Sequence, residues 1–361
     1  MMARLFNFNP GPAALPLEAL EKLQANIVEY KDAGMSILEM SHRSPEYSEI
    51  HAQTKERLRS IFGIPDNFEI LFLGGGATLQ FGMIPMNFLD GDKTADYIIT
   101  GSWSKKAYND AKLFGKANVA ASSAEENFSR IPTQDELNLS ENAVYVHLTS
   151  NNTIAGTQWK TFPDTGSVPI IADMSSDILS KRIDFSKFGV IYAGAQKNLG
   201  PAGVTLVIMR KDVLDKAKDG LPAYLSYKTH APKDSLYNTP PVFGIYVMYL
   251  VLEWIEGQGG LAAVEKVNEA KGQLLYGAMD EDPEFFRGTV EKESRSLMNV
   301  TIRLPSEELE KTFIAQAREA GLHGLKGHRS VGGIRVSMYN ASPLAGIDKL
   351  VDFMKDFRKQ N

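Results

Sequence analysis

Residues 191–200 decide how the chain is interpreted, and they read IYAGAQKNLG. An apolar run at 190–195 leads into Lys197, and a Gly/Pro turn separates this lysine from a second apolar run at 204–209. The pattern places Lys197 at the end of a strand, where apolar surroundings lower the pKa of the amine and favour its neutral form. A Schiff-base lysine needs that nucleophilic form. Most lysines at strand ends are simply solvated, so the interpretation depends on other groups at the same edge.

Short apolar segments alternate with helical or loop segments through the middle of the chain. They lie at 70–73, 97–100, 144–148, 168–172, 190–195 and 204–209. This alternation predicts an α/β fold with a mostly parallel sheet covered by helices on both faces. The near-continuous Val/Ile/Leu character of the segments is typical of strands buried on both sides.

A Gly-Gln-Gly-Gly turn at 257–260 ends this pattern. The elements predicted beyond it are a helix at 261–280, strands near 298–303 and 334–338, a helix capped by Ser306 and a C-terminal helix. We therefore predict a large domain at 16–258 and a smaller α+β domain at 259–361, with residues 1–15 packing near the smaller one. A binding site is expected in the cleft between the domains.

The composition of the 361 residues narrows the function classes. A net charge of −5 argues against a protein built around nucleic acid or an acidic membrane surface. There is no cysteine, which excludes disulfides, thiolate nucleophiles and cysteine-ligated metals and is typical of a reducing compartment. The longest apolar run, 242–252, is too short to cross a bilayer, and residues 1–16 lack the apolar core of a secretory signal. We expect a soluble, cytoplasmic protein.

Two further features are predicted at the strand ends. Asp173 follows the apolar segment 168–172, as a turn residue or as a carboxylate beside a cationic ring nitrogen. Ligands of doubly wound sheets bind at the carboxyl ends of strands, which would place Asp173 and Lys197 at one edge. The turn 74–78 (Gly-Gly-Gly-Ala-Thr) follows another strand, and the free N–H groups of the helix after it attract phosphate. It is neither a dinucleotide fingerprint nor a Walker A loop, and by itself it is equally compatible with a structural turn.

Other polar and aromatic groups complete the pattern. Trp103 follows the segment 97–100 and is either a core residue or a ring that stacks on a flat cofactor; Thr153 is either a turn residue or a donor to a ring hydroxyl. Two His-Arg-Ser tripeptides, with Arg335 after the second, supply donors for carboxylate and phosphate, or they form scattered surface salt bridges. Their histidines and arginines are His42, Arg43, His328 and Arg329. The six histidines show no metal-binding spacing, so we predict no metal site.

Together these segments resemble the phosphoserine aminotransferase family, which are class V, pyridoxal-phosphate-dependent enzymes with the aspartate aminotransferase fold, PLP fold type I. The resemblance covers essentially the whole chain and implies a seven-stranded sheet in the large domain. Its motifs are FNFNPGPAALP, SHRS, GGGATLQF, the AD-SS-ILS pattern at 172–180, YAGAQKNLGPAG, YNTPP at 237–241 and GLKGHRSVGGIRVSMYNA. YAGAQKN-GPAG and KGHR-VGG-R are highly specific to the family.

The resemblance implies a role for each matching residue. Lys197 would hold the cofactor and shuttle a proton, while Asp173 would keep the pyridine nitrogen protonated. Trp103 would stack on the ring, and Thr153 would contact its 3′ oxygen. The cofactor phosphate would be bound by Ala77, Thr78 and Gln196, with Asn238 and Thr239 of the partner subunit, which makes the active unit a homodimer.

The resemblance also implies the substrates. Glutamate would donate its amino group to the cofactor, and 3-phosphohydroxypyruvate would accept it in a ping-pong reaction of serine biosynthesis; 4-phosphohydroxythreonine is an implied second substrate. Arg335 would bind the α-carboxylate. His42 and Arg43 of the other subunit, with His328 and Arg329, would bind the phosphate or the glutamate side chain. Some members of the family carry an arginine at the position of Thr78, and that arginine helps to bind the substrate phosphate. This chain departs from them at Thr78.

Three alternatives are weighed against this hypothesis. A class V transaminase for serine, alanine and glyoxylate has no need for two His-Arg sites. A cysteine desulfurase is excluded because the chain has no cysteine. The third alternative is a non-catalytic relative that only binds partners. The presence of Lys197, Asp173 and the anion-binding residues argues against it, because a protein without catalytic activity would have been free to lose them.

Overall fold

The structure is a computed structural model and describes residues 4–361. Its strands are β1 (Phe6–Asn7), β2 (Phe68–Leu73), β3 (Thr94–Ile99), β4 (Lys116–Ser122), β5 (Ala143–Thr149), β6 (Ile170–Asp173), β7 (Phe188–Gly194), β8 (Thr205–Arg210), β9 (Arg287–Gly288), β10 (Asn299–Arg303), β11 (Leu322–His323) and β12 (Ile334–Ser337). Its helices are α1 (Leu17–Asn26), α2 (Pro45–Phe62), α3 (Gly76–Phe88), α4 (Ser102–Ala111), α5 (Lys211–Leu214), α6 (Tyr227–His230), α7 (Val242–Gly257), α8 (Leu261–Glu281), α9 (Glu307–Glu319) and α10 (Leu344–Gln360).

The largest sheet within residues 4–361 has seven strands in the order β2-β8-β7-β6-β5-β3-β4. Only β8 runs against its neighbours, β2 and β7; the other adjacent pairs are parallel. Six strands therefore point the same way, and their carboxyl ends meet at one edge. The predicted α/β fold with a mostly parallel, seven-stranded sheet is confirmed.

Both faces of this sheet are buried, because alternate residues of each strand enter different cores. In β2, Ile70 and Phe72 pack into one core, while Leu71 and Leu73 pack into the other. Helix α7 is apolar nearly all round and is buried in the first core, together with α2. Helix α3 covers the opposite face. This two-sided burial explains why the strands are unbroken apolar runs rather than alternating ones.

The sequence analysis places the strand ends of the large sheet within about three residues and misses one of its seven strands. Thr100 and Ala195 lie just past the ends of β3 and β7, whereas β6 begins only at Ile170. The missed strand is β4, whose first and last residues are exposed. It lies at the edge of the sheet with β3 as its single neighbour, so its sequence carries no continuous apolar signal.

A third core lies in the C-terminal part of the chain. Strands β12, β10 and β9 form an antiparallel sheet that packs with α8, α9 and α10. Ser306 caps α9 as predicted, because its hydroxyl accepts a hydrogen bond from the N–H of Leu309 at 3.2 Å. The division into two domains at residue 258 stays a prediction.

The beginning of the described chain belongs to this third core. Strand β1 pairs in parallel with β11, and Phe8 is buried among the C-terminal residues. Residues 1–3 of the segment predicted to pack there lie outside the described residues. No helix within residues 4–361 combines the length and the apolar character needed to cross a membrane.

Candidate active site

The shared carboxyl edge of the sheet collects the residues that the sequence singles out. The turn 74–78 follows β2, Trp103 follows β3, Thr153 follows β5, Asp173 ends β6 and Lys197 follows β7.

Lys197 is the centre of the cluster. Its Nζ donates a hydrogen bond of 2.7 Å to Oγ1 of Thr153. Burial lowers the pKa of Lys197 to about 8, and the charge of Arg335 also lowers it, while Asp173 and Asp177 oppose the shift. The amine is therefore partly neutral near pH 8, as a nucleophile requires.

The backbone around Lys197 is fixed from several sides. The N–H of Ala13 donates to the carbonyl of Gln196 at 2.9 Å. Asn198, the next residue, donates to the carbonyl of Ile178 at 2.9 Å and accepts from the N–H of Asn340 at 3.0 Å. The lysine is thus attached to both the large sheet and the C-terminal part of the chain.

Asp173 is almost completely buried at the end of β6. Burial raises the pKa of Asp173, while hydrogen bonds from Ser175 and the charge of Lys197 oppose the rise. The bond from the Ser175 N–H to Oδ1 is 2.9 Å, and the Ser175 hydroxyl accepts from the N–H of Gly194 at 3.0 Å. Ser175 was not among the predicted site residues, although Asp-x-Ser after a strand is the signal of such a turn. A buried carboxylate with one oxygen so held can face a cationic partner.

Arg335, from β12, reaches the same place from the C-terminal sheet. Its Nη1 donates to the carbonyl of Thr153 at 3.4 Å, and its Nε is buried with no hydrogen-bond partner among residues 4–361. A buried guanidinium with an unused donor is suited to bind a carboxylate.

The turn before α3 and the start of α4 provide the other groups of the edge. Gly75 and Gly76 have φ values of 83° and 64°, which favour glycine, and they bring the chain into the first turn of α3 at Ala77 and Thr78. The indole of Trp103 lies in the first turn of α4, and its Nε1 is buried with no hydrogen-bond partner in the described part of the chain. Free helix N–H groups at this edge can bind a phosphate.

The N-terminal segment covers Lys197, which the sequence analysis missed. A Cβ on Gly11 would lie 3.3 Å from Cγ of Lys197, so the backbone approaches the lysine as closely as glycine permits. The carbonyl of Pro10 accepts a 2.7 Å hydrogen bond from the buried hydroxyl of Tyr339. Both lie in quoted motifs, but the contact between them is not visible in sequence.

The predicted anion-binding residues divide into two groups. His328 and Arg329 lie in the loop before β12, near Arg335. Burial lowers the pKa of His328, and the positive charges of Arg335, Arg329 and Lys106 lower it further.

The second group lies apart from Lys197. Within residues 4–361, no hydrogen bond or ion pair links His42 or Arg43 to the lysine or to its neighbours in the cluster. Asn238 and Thr239 are exposed and line a separate cavity of about 300 Å³ beside Gly74. One chain does not bring these four residues to the lysine.

The clustered groups fit pyridoxal phosphate. The cofactor needs an amine for its aldehyde, an acid for its ring nitrogen, a flat neighbour and a phosphate site. Lys197 supplies the amine and Asp173 the buried acid. Trp103 presents an indole with an unused N–H, and the turn at the start of α3 offers free backbone donors.

Comparisons with known proteins agree with this chemistry. The class V aminotransferase profile matches residues 5–350. The chain is 55% identical to a phosphoserine aminotransferase of Lysinibacillus sphaericus, over the full length of both. A solved phosphoserine aminotransferase from Bacillus circulans subsp. alkalophilus has a TM-score of 0.97 and 54% identity and covers 99% of each chain. A structure described as showing radiation damage of the Schiff base in phosphoserine aminotransferase has a TM-score of 0.98 and 50% identity over all of both chains. The chain therefore belongs to the class V aminotransferases, which are pyridoxal-phosphate-dependent transaminases, and within them to the phosphoserine aminotransferase family.

Proposed function

We propose that this protein transfers the amino group of L-glutamate to 3-phosphohydroxypyruvate, giving O-phospho-L-serine and 2-oxoglutarate. The observation that carries the proposal is the partly buried amine of Lys197, which donates a hydrogen bond to Thr153 and is influenced by the charge of Asp173 at the carboxyl edge of the sheet. Acceptance of 4-phosphohydroxythreonine as a second substrate, as in vitamin B6 biosynthesis, is part of the same proposal.

Lys197 both anchors the cofactor and moves the proton. Pyridoxal phosphate, when bound, supplies a ring that withdraws electrons from the substrate α-carbon. Nζ of Lys197 takes the α-proton and returns it, and a pKa of about 8 suits both directions near neutral pH. Thr153 holds Nζ at the edge of the sheet and offers its hydroxyl to the ring oxygen when the lysine is released.

Asp173 keeps the ring nitrogen protonated. Its carboxylate is buried, so an unpaired charge there is unfavourable and a cationic neighbour is strongly attracted. Trp103 packs against the ring. Ala77, Thr78 and Gln196 hold the cofactor phosphate, with the first turn of α3 as the main donor.

The substrate is bound through its two charged ends. Arg335 binds the α-carboxylate, since its buried guanidinium has an unused donor. His328 and Arg329 bind the distal group, which is a phosphate in one half-reaction and a carboxylate in the other.

The active unit is a homodimer in this proposal. His42, Arg43, Asn238 and Thr239 would serve the site of the partner subunit. Their separation from Lys197 within one chain, together with the exposure of Asn238 and Thr239, supports this arrangement. We also propose a cytoplasmic location, in keeping with a chain that has no cysteine.

Reductive trapping tests the assignment of the lysine. Borohydride treatment of the purified yellow protein, followed by trypsin and mass spectrometry, should find the cofactor on the peptide 188–210, because a modified Lys197 resists cleavage. An adduct on any other lysine would contradict the proposal.

A donor assay tests the substrate. O-phosphoserine should convert the cofactor to its aminated form and bleach the yellow colour far more efficiently than serine. Equal efficiency would favour the alternative of a serine, alanine and glyoxylate transaminase.

A further inference from the structure

An unneutralised group of cations lies at the mouth of the candidate active site. Its members are Lys106, His328, Arg329 and Arg335, and among the described residues none forms an ion pair with a carboxylate within 4.0 Å. By contrast, each basic side chain of α2 has a carboxylate within 4.0 Å; these side chains are His51, Lys55, Arg57 and Arg59. Cations that gather without counter-charges raise the local concentration of anions.

Lys106 is the member that the sequence analysis did not single out. It lies on α4, three residues after Trp103, so both side chains share one face of the helix. Its Nζ lies 4.3 Å from the centre of the Trp103 ring, a distance at which the indole attracts and orders the ammonium group. The neighbouring Lys105 makes no such contact and lies on a different side of the helix.

The four cationic side chains are buried to different extents. Arg335 is buried beside Thr153, whereas Lys106 and Arg329 are exposed at the rim. The charge of Lys106 reaches His328, since it lowers the pKa of that imidazole. An elongated substrate that places its carboxylate on Arg335 would direct its other end toward the rim.

The two proposed substrates differ most at that end. A phosphate monoester carries a charge of about −1.5 to −2 near pH 7, whereas the side-chain carboxylate of glutamate carries −1. A lysine binds phosphate as a compact point charge, so an added lysine at the rim favours the phosphorylated substrate. Thr78 brings no charge to this edge.

We propose that Lys106 binds the phosphate of the phosphorylated keto acid and helps to distinguish it from glutamate. The inference rests on the proposed function and deepens it. Trp103 then has two roles, since its indole also holds the ammonium group of Lys106 in place.

Steady-state kinetics of the holoenzyme with Lys106→Met tests the inference. The KM for 3-phosphohydroxypyruvate should rise roughly fivefold to tenfold, as expected for the loss of one partly exposed charge contact. The kcat and the KM for glutamate should change less than about twofold, since this charge acts mainly on the dianion. Lys106→Arg should restore most of the affinity, and Lys105→Met, the matched control, should behave like the unmodified enzyme.

The outcomes separate the inference from the proposed function. If the unmodified enzyme uses 3-phosphohydroxypyruvate but Lys106→Met leaves its KM unchanged, or raises both KM values equally, the role of Lys106 is refuted. If the unmodified enzyme does not use the phosphorylated acid, the proposed function itself fails. Binding of O-phosphoserine, followed through the cofactor absorbance, should weaken by the same factor as the KM rises.

Discussion

Nζ of Lys197 and Oγ1 of Thr153 are joined by a 2.7 Å hydrogen bond that crosses from the end of β7 to the end of β5. The bond holds the amine over β6, the strand that lies between them and ends in Asp173. A nucleophile, its orienting hydroxyl and a buried acid thus come from three neighbouring strands of one sheet.

Removal of the amine should end catalysis without harming the fold. We expect Lys197→Ala to lower kcat by a factor of at least about 10²–10⁴, since proton transfer at the α-carbon loses its base. The circular dichroism spectrum and the melting temperature should change little, because the amine packs no core. Robust steady-state activity in this variant would refute the assignment.

Loss of the buried acid should also slow turnover. Asp173→Asn should lower kcat more than tenfold, because an uncharged neighbour no longer keeps the ring nitrogen protonated. Asp177→Asn is the matched control, since Asp177 is equally buried but is held by Ser150 and Gln158. A loss below tenfold for Asp173→Asn, or an equal loss in the control, would contradict the role of Asp173.

The pKa of Lys197 predicts how fast the cofactor-free protein takes up pyridoxal phosphate. With a pKa of about 8, the neutral fraction of the amine, and hence the rate, should rise about tenfold between pH 7 and pH 9. The rate is followed as the increase in absorbance of the bound cofactor. In Asp173→Asn the midpoint should move to lower pH, because the carboxylate that favours the charged amine is gone. A midpoint that moves upward would show that Asp173 does not act on Lys197.

Asp234 and Ser235 form a strained turn just before Asn238 and Thr239. Their φ values of 51° and 63° are unfavourable for residues other than glycine. The turn is held by Asp234 Oδ2, which lies 3.3 Å from His51 Nε2, by an ion pair with Lys55, and by the Phe72 N–H, which donates to the Ser235 hydroxyl at 2.9 Å.

Release of this turn should weaken cofactor binding. Asp234→Ala should raise the dissociation constant of pyridoxal phosphate about fivefold, which corresponds to ~1 kcal/mol for a half-exposed ion pair. Glu256→Gln is the control. Glu256 forms an ion pair with Arg57 of α2, the helix that also carries His51 and Lys55, but it does not contact the turn. Dissociation constants measured by spectral titration should separate the two variants, and identical values would show that the turn does not position Asn238.

A buried lysine joins α8 to the chain after β12. Nζ of Lys271 donates to the carbonyls of Met338, Tyr339 and Ser342 at 3.0, 2.8 and 3.2 Å. Lys271→Met would leave these acceptors without a donor, so the free energy of unfolding should fall by about 2–4 kcal/mol. Lys266→Met, at an exposed position of the same helix, should change it by less than about 0.5 kcal/mol in urea unfolding. If Lys271→Met lowered the free energy of unfolding by as little as Lys266→Met does, water would have replaced the ammonium group as the donor to these carbonyls.

The sequence predicts those parts of the site that strands place directly. Asp173 and Lys197 follow buried apolar strands, so their arrival at one edge follows from strand direction alone. The edge strand β4 is not predictable in this way, because half-exposed residues such as Lys116 and Val119 dilute its apolar pattern.

Contacts between segments that lie far apart in the sequence cannot be predicted from the individual motifs. Nothing in Pro10 or Tyr339 alone indicates their hydrogen bond, and nothing in Lys106 indicates that its charge acts on His328. These contacts depend on how the C-terminal sheet packs on the large one.

The pairing of β1 with β11 has a consequence for protein synthesis. The segment that covers Lys197 is made before the large sheet, but Leu322–His323, which pairs with its strand β1, is made only after that sheet. A nascent chain therefore cannot complete its catalytic centre before residues 322–323 have been translated. Messages cut short before that point should yield protein without transaminase activity.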